Sequence, residues 1–134
     1  MSEPHKLILP EGWVRPKGYS NGVLARAGGR LLFVAGQIGW DGQEHFVGAD
    51  FLSQFEQALS NVVAVVEAAG GVASDITRLR IFAVDKRDYL ADLPAIGAIY
   101  RRHLGKHFPA MAMVEVSALI EDDARVEIEA DAVI

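Results

Sequence analysis

Three carboxylates near the C-terminus alternate with apolar residues. Glu127, Glu129 and Asp131 occupy every second position, and the positions between them are apolar: Val126, Ile128, Ala130 and Ala132. Because successive strand side chains point to opposite faces, this pattern predicts a strand from Arg125 with one core face and one acidic face. A carboxylate held in an apolar interface can transfer protons, so Glu127 is the best candidate for acid–base chemistry. The alternative is a carboxylate that simply faces solvent beside its two neighbours.

Two methionines precede this strand. From Ala110 to Ile120 the even positions are all apolar, which predicts that they form the core face of another strand. Met111 and Met113 would then lie on the opposite face, together with the carboxylates. Methionine is flexible and polarizable, so the pair would suit a flat or aromatic ligand, or would fill the centre of an oligomer.

Metal and serine chemistry find little support. His103 and His107 are four residues apart, a spacing that suits a metal on a helix, but Gly105 predicts a helix end between them and no third ligand is evident. Ser20 and Ser117 lack a paired histidine. We therefore expect no metal and no cofactor.

Composition sets further bounds. A chain of 134 residues with 51% hydrophobic content predicts one domain, residues 1–134. A net charge of −5, with 13 dispersed basic residues, argues against a nucleic-acid binder. The absence of cysteine excludes disulfides and thiolate sites and fits a reducing compartment. With no signal-like N-terminus and no membrane-spanning apolar run, we expect a soluble, cytoplasmic protein.

Turn signals predict how the strands pair. Polar residues 121–123 separate the last two strands, which predicts an antiparallel hairpin. Gly28-Gly29 predicts a second hairpin, between strands Gly22–Ala27 and Arg30–Ala35. The latter is apolar on both faces, so it should be central in its sheet or contact another subunit. The segment from Gly36 to Gly42 should break the sheet. A short edge strand, Lys6–Pro10, and an irregular segment, Glu11–Ser20, complete the N-terminal part.

Two helices flank a further strand. Asp50 should cap a helix from Phe51 to Ala69, which Gly70-Gly71 ends. A strand over Asp75–Asp85 carries apolar residues at 79, 81 and 83. A second helix covers Arg87–Leu104, and Pro94 would delay its start because proline suits a first helical turn.

Two helices can cover only one face of such a mixed sheet, so the predicted class is α+β. The other face would carry Phe82, the two methionines and Leu31 or Phe33, which is too apolar to remain in water. We expect the chain to oligomerise through this face. The alternative is that long loops fold over it.

Several short motifs occur in a characteristic order over nearly the whole chain. They are Gly18-Tyr19-Ser20, Gly36-Gln37-Ile38, a helix with Gln54, Gln57, Leu59, Asn61 and Glu67-Ala68-Ala69-Gly70, a strand with Phe82 before Asp85, Phe108-Pro109-Ala110 and Val126-Glu127-Ile128-Glu129-Ala130. Together they resemble the RidA/YjgF family, whose members are also described as L-PSP endoribonucleases. The resemblance implies a chorismate-mutase-like fold and a homotrimer whose sheets form a central barrel, with small-molecule clefts between subunits.

Active members of that family hydrolyse enamines and imines to a keto compound and ammonia. The resemblance places Glu127 at the glutamate that positions water, and Tyr19 at a tyrosine that lines the cleft. It also assigns Ala35, Gly36, Phe82, Met111 and Met113 to the ligand-binding site.

The chain departs from the family at several of these positions. Met111 stands where an arginine for the substrate carboxylate is expected, Met113 where cysteine is common, and Ala35 where a small polar residue is frequent. An asparagine expected on the second helix has no counterpart in residues 93–100. Arg78 or Arg80 could replace the missing cation, or could lie at a solvated rim.

Three hypotheses follow. The first is an enamine or imine deaminase, retuned for an apolar substrate. The second, which Met111 suggests, is a non-catalytic ligand-binding or regulatory trimer. The third is an endoribonuclease, against which the acidic balance and the lack of a basic stripe argue.

Overall fold

Six strands and three α-helices form the part of the protein, residues 3–134, that this computed structural model describes. The strands are β1 (Lys6–Ile8), β2 (Gly22–Leu24), β3 (Leu31–Ile38), β4 (Ile76–Ala83), β5 (Ala110–Glu115) and β6 (Val126–Val133). The helices are α1 (Phe51–Ala68), α2 (Lys86–Leu90) and α3 (Leu93–Leu104), and a 3₁₀ turn at Ala73–Asp75 leads into β4. The predicted α+β class is confirmed.

The main sheet has four strands in the order β3-β6-β4-β5. Strand β6 pairs antiparallel with both β3 and β4, whereas β5 pairs parallel with β4, so the sheet is mixed. The predicted C-terminal hairpin is therefore wrong, because β4 lies between β5 and β6. Strand β5 also ends at Glu115, five residues before the predicted end at Ile120.

The predicted N-terminal hairpin is also wrong. Strand β2 pairs with β1 in a separate two-stranded sheet, and β3 pairs with β6. Strand β3 continues through Gly36 to Ile38, although the sequence predicted a break there. A β-bulge between Val34 and Gln37 shifts the register with β6, and so allows the pairing to continue. It lies at one end of the strand order, so its predicted central position is not observed.

Helix α1 forms as the sequence predicts. Asp50 accepts a hydrogen bond from the Ser53 backbone N–H at 2.9 Å, and Gly70 adopts a positive φ of 92° just after the helix. Its apolar stripe packs against the inward residues of β4 and β6 in one buried cluster, which includes Phe55, Leu59, Val62, Val66, Ile81 and Ile128.

The second predicted helix is divided into α2 and α3. Asp92 caps α3 by accepting a hydrogen bond from Ala95 N–H at 3.1 Å, and Pro94 occupies the first turn. The expected delay at proline is therefore confirmed, while continuity from Arg87 is not. Asp85 caps α2 in the same way, through Arg87 N–H at 3.0 Å.

None of the described helices covers the opposite side of the main sheet, which we call the open face. It carries Leu31, Phe33, Ala35, Arg80, Phe82, Val114, Glu127, Glu129 and Asp131. Leu31 is 66% exposed and Phe33 is 73% exposed, so within residues 3–134 no loop folds over these side chains. Among the helices described, none combines the length and apolar character needed to cross a membrane.

Candidate functional site

Glu127 is held on the open face by its neighbours on both sides. On strand β6, the Glu127 Cα lies opposite Ile38 of β3 and Phe82 of β4. The β3 bulge brings Gly36 against it: a Cβ atom on Gly36 would lie 2.7 Å from Glu127 Cδ. The partly exposed carboxylate therefore lies against bare backbone at a sheet irregularity, an arrangement suited to proton transfer with a small ligand.

The neighbouring carboxylates on β6 have a different environment. Arg80 donates hydrogen bonds to Glu129 Oε1 and to Asp131 Oδ2, both at 3.1 Å, in the middle of the open face. Its guanidinium is already shared between two carboxylates, which weakens the idea that Arg80 replaces the missing cation. Arg78 is exposed on β4, and its proposed role as that cation stays a prediction.

The predicted orientation of the two methionines is wrong. Met111 is in register with Leu79 and Met113 with Ile81, and both methionines pack on the helix-covered core, partly buried. The Tyr100 hydroxyl donates a hydrogen bond to Met111 Sδ at 3.3 Å, and burial raises the Tyr100 pKa well above its usual value. Both faces of β5 are apolar, so the alternation alone could not predict which face is buried. The register with β4 places the even-numbered residues on the open face.

Tyr19 lies in the loop between β1 and β2. The adjacent Ser20 fastens this loop to the start of β5: its N–H donates to Pro109 O at 3.1 Å and its hydroxyl donates to Phe108 O. Tyr19 borders a cavity of about 350 Å³, together with Phe108 and residues of β1. A small pocket on the other side of Gly18 and Phe108 is lined by Met111 and Tyr100, so Tyr19 and Met111 belong to one region.

The predicted site residues thus form two groups in a single chain. Ala35, Gly36, Phe82 and Glu127 surround the bulge on the open face, while Tyr19 and Met111 border the two neighbouring cavities near Phe108. Met113, on β5, is partly buried and packs against the core. One copy of the protein does not bring the two groups together, and their ligand-binding roles stay predictions.

Two polar residues of α1, to which sequence analysis gave no role, hold the loops beside Glu127. Gln54 is fully buried; its Nε2 donates to Gly48 O and Asp123 O, and its Oε1 accepts from Arg125 N–H at 2.8 Å. Asn61 donates to the Ile38 and Trp40 carbonyls. The sequence carried one signal for this role: both residues are polar, and their seven-residue spacing places them on the apolar side of an amphipathic helix. The loops that Gln54 holds border an open cavity of about 620 Å³.

The two candidate metal ligands point to different partners. His103 Nε2 lies 3.2 Å from Glu56 Oε2, and His107 Nε2 lies 2.6 Å from Ile76 O. Burial lowers the pKa of both imidazoles. Across residues 3–134, no three histidine, aspartate or glutamate side chains cluster in a way that could hold a metal ion.

Comparison with known proteins identifies the relatives of this chain. The sequence profile of the family described as Endoribonuclease L-PSP matches residues 14–134. The chain is 38% identical over 108 residues to 2-iminobutanoate/2-iminopropanoate deaminase of Escherichia coli K12, which covers 78% of this chain and 80% of that one. It is 34% identical over 127 residues to a RutC family protein of Pyrococcus horikoshii, covering 93% and 94%.

A solved structure shows the same fold over nearly the full length. The crystal structure of a Rid family protein of unknown function from Yersinia pestis superposes with a TM-score of 0.86 at 34% identity. The match covers 98% of this chain and 100% of the other.

Proposed function

The chain belongs to the RidA/YjgF family, also described as Endoribonuclease L-PSP, and on that basis we propose that it is an imine or enamine deaminase. It would hydrolyse reactive 2-imino or enamino compounds to the keto compound and ammonia. The relative at 38% identity whose name specifies a 2-iminobutanoate/2-iminopropanoate deaminase supports this reaction class. The observation that carries the proposal is the Glu127 carboxylate against Gly36 on the open face.

The proposed chemistry requires one group that can accept and return a proton. Water adds to the imine carbon while the Glu127 carboxylate accepts a proton from it. Glu127 returns this proton to the nitrogen, which gives a carbinolamine. The proton of the carbinolamine hydroxyl then moves to the nitrogen through the same carboxylate, and ammonia leaves as the C–N bond breaks and the carbonyl forms. Phe82, opposite Glu127 on β4, would shield this step from bulk water.

The proposal includes a homotrimer whose sheets close into a central barrel, with one domain, residues 1–134, in each subunit. The exposed apolar side chains of Leu31 and Phe33 support association through the open face. A cleft between subunits would combine the Glu127 group of one copy with the Tyr19 group of another. This arrangement would explain why the two groups lie apart in one chain. A cytoplasmic location, which the cysteine-free composition supports, is also part of the proposal.

A second candidate is a non-catalytic small-molecule-binding or regulatory trimer. It rests on Met111, which faces the helix layer and provides no positive charge at the position where the family resemblance implies an arginine. An endoribonuclease is a third possibility that the family description raises, although the net charge of −5 argues against it.

The decisive experiment measures ammonia and keto-acid release from imino acids that an amino-acid oxidase generates in situ, with catalase present. We expect the wild type to exceed the protein-free rate and Glu127→Gln to lose that excess, at least a hundredfold. Glu121→Gln, in the exposed turn before β6, is the matched control and should keep full activity.

Full activity in Glu127→Gln would exclude the proposed mechanism. A wild type that does not accelerate release, but is thermally stabilised by keto acids, would favour the binding trimer. RNA cleavage by nuclease-free protein would favour the third candidate.

A further inference from the structure

The cavity beside Tyr19 combines an apolar wall with a positive charge. Its volume is about 350 Å³, at the lower end of the range for small-molecule sites. Leu7, Ile8 and Leu9 line one side and Phe108 lies at the β5 end, while the loop that precedes β2 contributes Arg15 and Tyr19. No carboxylate is among the lining residues from the described chain.

Arg15 is the charged residue of this cavity and has its donors available. Five of the other arginines form ion pairs with carboxylates: Arg26, Arg80, Arg87, Arg102 and Arg125. Within residues 3–134, Arg15 forms no such ion pair. A guanidinium binds a carboxylate through two parallel hydrogen bonds, so a free arginine at the rim of an apolar cavity fits a small organic acid.

The loop that carries Arg15 is fixed at its end near the cavity. Ser20 anchors it to the carbonyls of Phe108 and Pro109, and Gly18 makes the turn with a positive φ of 83°. Pro16 restricts Arg15 to extended backbone conformations. These constraints limit the loop conformations available to Arg15 and lower the entropic cost of binding an anion there.

We propose that Arg15 binds the carboxylate of the substrate in this cavity, with Leu7 and Phe108 contacting its apolar side chain. The inference rests on the proposed deaminase function, because that function supplies a substrate with a carboxylate. Met111 lies in the adjoining pocket across Gly18 and Phe108 and carries no charge, so the loop arginine takes the role of cation for this region. The favoured substrates are 2-imino acids with short apolar side chains.

Calorimetric titration with 2-oxobutanoate, the keto-acid product of 2-iminobutanoate hydrolysis, tests this site. We expect Arg15→Gln to weaken binding at least tenfold, since hydrogen bonds between charged groups are among the stronger ones in proteins. Lys17→Gln is the matched control: it removes an exposed cation two residues away that does not line the cavity, and should leave the Kd unchanged. The uncharged methyl ester should bind the wild type weakly and should not discriminate between wild type and Arg15→Gln.

The outcomes separate this inference from the proposed function. If Arg15→Gln binds 2-oxobutanoate as the wild type does, or if the wild type does not bind it, the Arg15 site is wrong. If the wild type releases no ammonia yet binds 2-oxobutanoate through Arg15, the deaminase proposal fails and the site stands. If the wild type is active and Arg15→Gln keeps its kcat/KM, the function stands and the site fails. Arg15 is exposed, so we expect Arg15→Gln and Lys17→Gln to melt at the same temperature as the wild type, which would show that their fold is intact.

Discussion

Glu127 Cδ lies 2.7 Å from the point that a Cβ atom on Gly36 would occupy. The bulge in β3 brings the two residues together, and the missing side chain at position 36 leaves room for the carboxylate. Any larger residue at position 36 must displace the Glu127 side chain, which is partly exposed and able to rotate away.

We therefore predict that Gly36→Ala lowers activity far more than stability. Imine hydrolysis should fall about tenfold to a hundredfold because the proposed proton-transfer group is misplaced. The melting temperature should fall by only a few degrees, since Glu127 can move without breaking the sheet. Gly42→Ala is the control, because a Cβ there meets no atom within 4 Å. Unchanged activity in Gly36→Ala would show that the carboxylate position is unimportant.

A buried ion pair ties the segment after β2 to the start of β4. Arg26 Nη2 lies 2.7 Å from Asp75 Oδ1, their side chains are only 10% and 9% exposed, and Arg26 also donates to Val133 O at 2.7 Å. Arg26→Met leaves Asp75 buried without its partner, so we predict a loss of about 3–5 kcal/mol in the free energy of unfolding. Urea denaturation at fixed protein concentration measures it.

Arg87→Met is the control for this prediction. The Arg87–Asp85 bridge has a similar N–O distance of 2.8 Å, but the arginine side chain is 85% exposed, so its loss should change stability little. Equal effects of the two substitutions would contradict a special role for the buried pair.

Stability should depend on the protonation of His107. Burial lowers the pKa of this imidazole below its ordinary value of 6.5, His5 nearby lowers it further, and Asp75 and the hydrogen bond with Ile76 O oppose the shift. The unfolded chain therefore binds the proton at a higher pH than the folded chain. The contribution of neutral His107 is present above about pH 6.5 and is lost as the pH falls toward its folded pKa.

We predict that the melting temperature falls between pH 7.5 and pH 5, and that His107→Gln makes this fall shallower. His103, whose pKa is also lowered by burial, should retain part of the dependence. His45→Gln, in an exposed loop, should leave the slope as in the wild type. If His107→Gln leaves the pH dependence of the melting temperature unchanged, His107 is not the group responsible for it.

If subunits associate through the open face, a charge at its most exposed aromatic residue should prevent association. Phe33 is 73% exposed, and placing an aspartate there would bury a charge in the proposed subunit interface. Phe33→Asp should convert a trimer into monomers in light scattering after gel filtration. Leu90→Asp on α2, at a residue 55% exposed away from the sheet, should remain trimeric. A trimer that survives Phe33→Asp would place the interface elsewhere.

Local patterns were sufficient for some elements of the fold. The Asp50 cap and the apolar stripe of α1 predicted the helix within one residue at its C-terminus. The alternation in β4 and β6 correctly separated the core side chains, such as Ile81 and Ile128, from those on the open face. In these segments one face is strongly polar, so burial allows only one orientation.

Local patterns could not predict which strands pair with each other. Gly28-Gly29 is a strong local turn signal, yet β2 pairs with β1. Strand β3 pairs with β6, and the paired residues are 89 to 102 positions apart in sequence. Short turns favour hairpins between neighbouring strands, but the choice of partner depends on which arrangement buries the most apolar surface of the whole chain. The Arg26–Asp75 pair and the Gln54 hydrogen bonds are long-range contacts of the same kind.

By itself, the sequence determined the α+β class, the first helix, the acidic face of the last strand and the family resemblance, because each depends on residue types at fixed local spacing. Only the tertiary structure decided that Met111 faces the core, that Gly36 makes room for Glu127 and that Arg15 borders a cavity with Tyr19. These three relationships depend on strand order, on a bulge and on loop anchoring. All three are set by packing between segments distant in the chain, which no local pattern records.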